Sequence, residues 1–196
     1  ILSACTPTTP QIEPGSVIVT DSLGREVTLN APAQRIVSLA ASTTEILFAI
    51  GAGDRIVGRD EYSDYPPEAL KVGSIGSMYP HVNTEAVIAL EPDLVLGAGI
   101  NSLDDVTALA DLGMTIYATS FARTIEDIYG DIMAVGTLTG EEVAATHVVE
   151  DMKARVAVVT DVTAALDHRP VVFYEIDATD PAKPWTSGPG SFIDLL

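Results

Sequence analysis

Basic residues are scarce in this chain: 10 Lys plus Arg stand against 28 Asp plus Glu, a formal charge of -18 over 196 residues. A surface so acidic repels phosphate backbones and anionic lipid heads, which argues against nucleic acid as a partner. Cysteine is scarcer still. Cys5 stands alone, so neither an internal disulfide nor a thiolate metal cluster can form within the chain. Aromatics amount to 6%, yet hydrophobic residues reach 47%, enough to fill a core in a chain of ordinary globular usage. No run approaches the ~20 apolar residues of a membrane-spanning helix. Signatures of common catalysis are missing too: there is no Gly-x-Ser-x-Gly elbow, no Walker loop and no paired cysteines. His81, His147 and His168 are scattered and form no convergent set with carboxylates, so no resident metal is expected.

What is present begins at the amino end. Ile1-Leu2-Ser3-Ala4-Cys5 followed by a Pro/Thr-rich stretch resembles a bacterial lipobox and tether. The resemblance implies acylation of Cys5 and anchoring outside the cytoplasm, the lipid being the only membrane contact. Residues 1–16 are therefore expected to be a lipobox remnant and flexible tether.

The rest alternates strand and helix. Val17–Thr20 and Arg25–Leu29 flank Asp21-Ser22-Leu23-Gly24 as a hairpin. Short apolar strands are expected at 35–39, 55–58, 93–97 and 114–117. Between them, Ser42-Thr43-Thr44-Glu45 reads as a capping box for a helix from Ile46, and Pro66-Pro67 starts a helical turn. Asn83 caps a helix through Leu90, and further helices run 103–112 and 125–138. The alternation predicts an α/β fold, a doubly wound parallel sheet with helices on both faces. In that architecture a ligand sits at the carboxyl ends of the strands, here the loops 40–44, 59–65 and 98–102.

Residues 141–167 read as one long helix, with Val143, Val148, Met152, Val156, Val159, Val162 and Leu166 at helical spacing, spanning roughly 40 Å. A fresh strand, Pro170–Glu175, follows it. The chain then stops at Leu196 after too little material to bury another core. The expected organisation is a first α/β lobe over 17–140, a connecting helix over 141–168, and only the start of a second α/β lobe over 169–196.

These segments, in this order, resemble the class of ABC-importer binding proteins that handle vitamin B12, ferric siderophores and haem. The likeness is carried by Arg35-Ile36-Val37-Ser38-Leu39, Thr44-Glu45-Ile46-Leu47, Gly51-Ala52-Gly53-Asp54-Arg55, and Asn83 through Leu96. Tyr62-Ser63-Asp64-Tyr65-Pro66-Pro67 and Pro184-Trp185-Thr186-Ser187-Gly188 look most like the cobalamin binders. The resemblance implies two α/β lobes joined by one rigid helix, with a chelated-metal compound held between them and handed to the permease of an ABC importer. It implies no cofactor, no reaction and a monomer.

Recognition without reaction calls for aromatic walls and a few polar groups in a cleft. Tyr62, after the second strand of the sheet, is placed by the resemblance against the corrin. Trp185 matches a family aromatic that faces the ligand. Met78 and Tyr79 lie in a loop where some haem-binding relatives ligate iron, and Ser42 and Thr43 reach the site from the first loop. Glu85 in the first turn of its helix is favoured by the helix dipole alone, and the resemblance implies that it docks on permease arginines. Two rival readings remain. A ferric-siderophore or haem binder of the same fold would favour cleft arginines such as Arg59 and Arg123. A nucleotide-dependent enzyme would use Gly97-Ala98-Gly99, but the third glycine of that fingerprint is replaced by Ser102.

Overall fold

The computed structural model describes residues 15–168 and 171–195. Cys5 and nearly all of the expected tether lie outside them. The hairpin forms as expected from β1 (Val17–Thr20) and β2 (Glu26–Leu29), in antiparallel register from Val17 opposite Leu29 to Thr20 opposite Glu26. Asp21 makes the turn. Its buried carboxylate accepts from the backbone of Leu23 and Arg25 and from the Arg25 guanidinium at 2.5 Å. Gly24 supplies the positive φ, +75°, that a side chain would resist.

Four short strands build the main sheet: β3 (Ile36–Ser38), β4 (Ile56–Arg59), β5 (Leu94–Gly97) and β6 (Ile116–Ala118). All pair in parallel in the order β4-β3-β5-β6. Side chains alternate between the two faces, as strand geometry demands. Ile36, Leu94, Leu96 and Tyr117 enter one core, while Val37, Val95 and Ile116 enter the other. Helices α1 (Ala41–Ala49) and α4 (Ile125–Thr139) cover the first face together with the hairpin. Helices α2 (Thr84–Ala89) and α3 (Leu103–Asp111) cover the second. The doubly wound layout is thus as the strand–helix alternation predicts. From β3 the chain moves outward to β4, then returns across to β5 on the other side, so the topological switch lies between β3 and β5.

Ser42 does not open α1. The helix starts at Ala41 with Ala40 as its N-cap and no side-chain cap. The two hydroxyls that follow Ser42 are used inside: Thr43 Oγ1 donates to Ala40 O at 2.9 Å and meets Ser38 Oγ at 2.7 Å, and Thr44 Oγ1 donates to Ser38 Oγ at 2.8 Å. Asn83 and α4's amino end behave as capping predicts. Asn83 Oδ1 accepts from Ala86 N, and Thr124 with Asp127 forms a full capping box.

Helix α5 (Glu142–Ala164) is continuous over 23 residues, roughly 34 Å at 1.5 Å per residue. Only part of the face that the apolar spacing indicates is covered. Ala145 and Val149 are buried, with Val148 and Met152 partly buried beside them, whereas Val143, Val159, Val162 and Leu166 are exposed. Close approach explains the choice. Gly136 of α4 lies under Ala145, where an added Cβ would stand 2.5 Å from the Ala145 Cβ, so small residues mark the crossing and valines flank it. Arg55 fixes the root of α5. Its guanidinium donates to Thr139 O at 2.5 Å and to Ala33 O at 3.3 Å, and pairs with Glu141. From Lys153 onward every described residue of α5 is exposed, so the helix leaves the first lobe.

Beyond it, the strand expected over 170–175 is shorter and later. β7 (Glu175–Asp177) pairs antiparallel with β8 (Trp185–Thr186), and Val171 to Tyr174 are exposed without ladder partners among the described residues. An apolar run becomes a strand only when a neighbour accepts its hydrogen bonds.

Candidate functional site

A cavity of about 820 Å³ opens at the carboxyl ends of β5 and β6 and runs down between α1 and α4. That volume lies toward the upper end of small-molecule sites, about 300–1,000 Å³. One face of α1 lines it with Ser42, Glu45, Ile46, Phe48 and Ala49, residues that share a side at helical spacing. Ile128 and Ile132 of α4 and Val148 and Met152 of α5 form its apolar floor. Its mouth is built by three loops: Tyr65 and Pro66 after β4, Gly99 and Ile100 after β5, and Ser120 and Phe121 after β6.

Tyr65, Ile100 and Phe121 are 63%, 74% and 69% exposed around this one opening. Three large apolar side chains held in water about a cavity mouth mark a contact surface, since a lone exposed apolar residue is ordinary but a cluster is not. The loops carrying them are fixed by the fold. Asn101 accepts from Ala98 N at 2.7 Å and donates to Leu39 O at 3.2 Å, bridging the ends of β5 and β3 at the switch point. The loop after β4 is tied down from within by a chain of buried hydroxyls. Ser38, Thr43 and Thr44 connect at 2.7–2.8 Å, Thr44 reaches Ser63 at 3.0 Å, and Ser63 donates to the buried Asp60. The loop after β6 is held by Ser22 Oγ on Thr119 O at 3.0 Å and by Asp131, which accepts from Ser120 N and Ser120 Oγ.

The charge of the lining has one sign. Glu45, Glu68 and Asp131 line the cavity, and among the described residues no Lys, Arg or His does so. Burial raises the Asp131 carboxyl above the usual range against the lowering pull of its Ser120 bonds. Burial also pushes the neighbouring Tyr117 phenol up to about 12, helped by the charges of Asp131 and Asp21. Arg59, a candidate cleft arginine, is buried and spent on the carbonyls of Ala69 at 2.9 Å and Asp60 at 2.8 Å. It offers an anion nothing.

Of the individual ligand-binding residues expected from the sequence, Ser42 enters the cavity lining, and the expected strand-end loops 40–44, 59–65 and 98–102 contribute Tyr65, Ala98, Gly99 and Ile100 beside it. Thr43 is a correction: it is fully buried and its hydroxyl is committed to Ser38 and Ala40, so it faces no ligand. Met78 packs partly buried against the second core with Val82 and Ile75, which accounts for its place without iron. Tyr62 and Tyr79 are exposed on their loops and Trp185 on β8, outside this lining. Glu85 is exposed in the first turn of α2. His81 meets the buried Asp105 at 3.2 Å, which pins its loop to the start of α3. Phe48, Phe121 and Asp131 lie outside the loops expected to hold the ligand, whereas Tyr65 closes the expected loop 59–65. The signal for Tyr65 was present, three residues past Tyr62 in the same motif and pinned by Pro66. Asp131 carried none, because its partner Ser120 lies 11 residues away.

The sequence profile of the periplasmic binding protein family matches residues 36–191. The chain belongs to that family. Among similar proteins, an uncharacterized ABC transporter substrate-binding lipoprotein of Bacillus subtilis, YvrC, is 34% identical over 185 residues, covering 92% of this chain and 58% of its own length. A cobalamin-binding protein of Halobacterium salinarum is 30% identical over 88% of this chain and 46% of its own. The crystal structure of the periplasmic vitamin B12 binding protein BtuF of Vibrio cholerae superposes with a TM-score of 0.72 at 30% identity, covering 83% of this chain and 62% of that one. The chain thus spans about half the length of these curated relatives. Its four-stranded parallel sheet and flanking helices are the counterpart of one part of them.

Proposed function

We propose that this chain forms the capture lobe of an extracytoplasmic substrate-binding protein of an ABC importer, and that its cargo is a corrinoid of the cobalamin class. The observation that carries the reading is the cavity at the strand ends, apolar in its floor and ringed by the exposed Tyr65, Ile100 and Phe121. A large, partly planar chelate with an apolar underside and hydrogen-bonding edges fits such walls, stacking on the aromatics while a few polar groups fix its orientation. The names of the Halobacterium and Vibrio relatives support the cobalamin choice. The lack of any basic side chain among the described lining residues supports it over carboxylate-bearing chelates.

In this reading the ligand is bound and released unchanged, by a monomer. Tyr62 and Trp185, exposed aromatics on a loop beside the mouth residue Tyr65 and on β8, close on the ligand from outside the cavity. Helix α5, rooted by Arg55 and leaving the lobe after Met152, is the stiff connector to a second lobe, which limits closure to a small hinge. Glu85 docks on the permease, and Cys5 carries the lipid anchor. Spectroscopic titration of the full-length protein with cyanocobalamin, haem and ferrichrome tests the choice of cargo. Saturable binding of cyanocobalamin alone is expected; tighter binding of either other chelate would move the protein to the haem or siderophore reading. Exchanging Glu85→Lys is expected to leave that titration unchanged and to impair uptake, and equal loss of both would remove its docking role.

A further inference from the structure

Resting on that reading, we propose that Asp131 is a specificity-determining residue of the cavity: a fixed anionic acceptor that takes an N–H-donating edge of the ligand and turns away chelates carrying carboxylates there. The geometry supports both halves. Asp131 lies on α4 among apolar lining residues, between Ile128 and Ile132. Ser120 holds it in place from one side, with its backbone N at 3.1 and 3.2 Å from the two oxygens and its hydroxyl at 2.8 Å from Oδ2. A carboxylate offers about four acceptor positions. Here Oδ1 has only one long, shared contact, so it keeps the capacity to accept from a ligand.

Among the described residues no cation lines the cavity beside Asp131. The other charged groups of the lining, Glu45 and Glu68, are negative as well, and the charged neighbour on the same helix is Asp127. Arg59 is tied to loop carbonyls, and Arg123 does not reach the lining. An approaching carboxylate meets three like charges and, among the described lining residues, no counter-charge, while a primary amide meets acceptors. The direction in which burial shifts the Asp131 carboxyl agrees with a site where charge is poorly solvated.

The test compares ligands that differ only in whether a peripheral group is an ionised carboxylate or an uncharged amide or ester, on full-length wild-type protein and its Asp131→Asn and Asp131→Ala variants. The first pair is cyanocobalamin and each of its monocarboxylic acids; the second is haem and its dimethyl ester. Wild type is expected to prefer the uncharged member of a pair by about tenfold, the scale of a like-charge contact at a partly wet site. Asp131→Asn keeps an acceptor for Ser120 but loses the charge, and is expected to erase most of that preference. Asp131→Ala also frees the Ser120 loop and is expected to weaken every ligand alike. A preference that survives Asp131→Asn, or is absent in wild type, overturns the proposal. Binding of the haem ester with no corrinoid binding upholds Asp131's role and defeats the cobalamin reading, whereas failure of both pairs to bind overturns both.

Discussion

Gly99 sits at the mouth of the cavity, and a single methyl there reports on the whole arrangement. A Cβ added at Gly99 would stand 2.5 Å from both the Cα and the N of Phe121. Carbon contacts settle at about 3.5–4.0 Å, so the Phe121 backbone must retreat by roughly 1 Å or the Gly99 loop must do so. Neither is free. Thr119 N donates to Gly97 O at 3.0 Å, Ser22 holds Thr119 O, and Asp131 holds Ser120, while Asn101 clamps the other loop to β3. The strain of Gly99→Ala is therefore expected to cost about 1–3 kcal/mol, the range for overpacking. That lowers the Tm of a protein this size by roughly 2–4 °C per kcal/mol. The larger consequence falls on binding, because Phe121 and Ile100 no longer oppose Tyr65 at the original spacing. Cyanocobalamin affinity of the full-length variant, by equilibrium titration, is expected to drop about tenfold, or ~1.4 kcal/mol. Unchanged affinity beside a lowered Tm would show that the mouth residues do not touch the cargo.

Thr44→Val keeps shape but removes the donor to Ser38 and the link to Ser63, and is expected to cost about 1–2 kcal/mol in denaturant unfolding, with Thr44→Ser retaining most of it. Wild-type stability in Thr44→Val would mean that the buried hydroxyl chain is incidental. Arg55→Ala releases Thr139 O, Ala33 O and Glu141, and is expected to cost about 2–3 kcal/mol and to speed amide exchange at the start of α5. Unaltered exchange there would show α5 to be rooted by its packing on Gly136 instead. Asp131 sets a pH dependence. Its folded carboxyl lies above the usual 3.8, so the folded chain holds the proton more tightly than the unfolded one. Stability from this group is present at low pH and is lost as pH rises from 3.8 through the folded value. Tm profiles of wild type and Asp131→Asn should therefore separate across that window in the variant's favour and run parallel above it; parallel curves throughout would contradict the assignment.

The four sheet strands and their helices were legible because burial on both faces writes continuous apolar runs such as Leu94-Val95-Leu96, broken by glycines and prolines. Local chemistry misled where hydroxyls had a distant partner. Ser42 and Glu45 looked like a capping box, yet the helix begins one residue earlier, and Ser38 and Ser63 claim the Thr43 and Thr44 hydroxyls across the fold. Helix α5 was visible as a length but only in part as a face, since the valines flank a crossing made by Ala145 on Gly136. The cavity was the least legible part. Its walls come from two helices, the start of a third and three loops, so no local spacing joins Tyr65 to Phe121 or Phe48 to Met152. Tyr62 carried the motif, but it is Tyr65 that turns to the opening.

The central claim is that the opening between the loops after β4, β5 and β6 grips the cargo. A crystal structure of the full-length protein with cyanocobalamin tests it most directly. The account predicts the corrin against Tyr65 and Phe121, with an amide edge toward Asp131. A ligand seated elsewhere, with those three residues still in solvent, would contradict it.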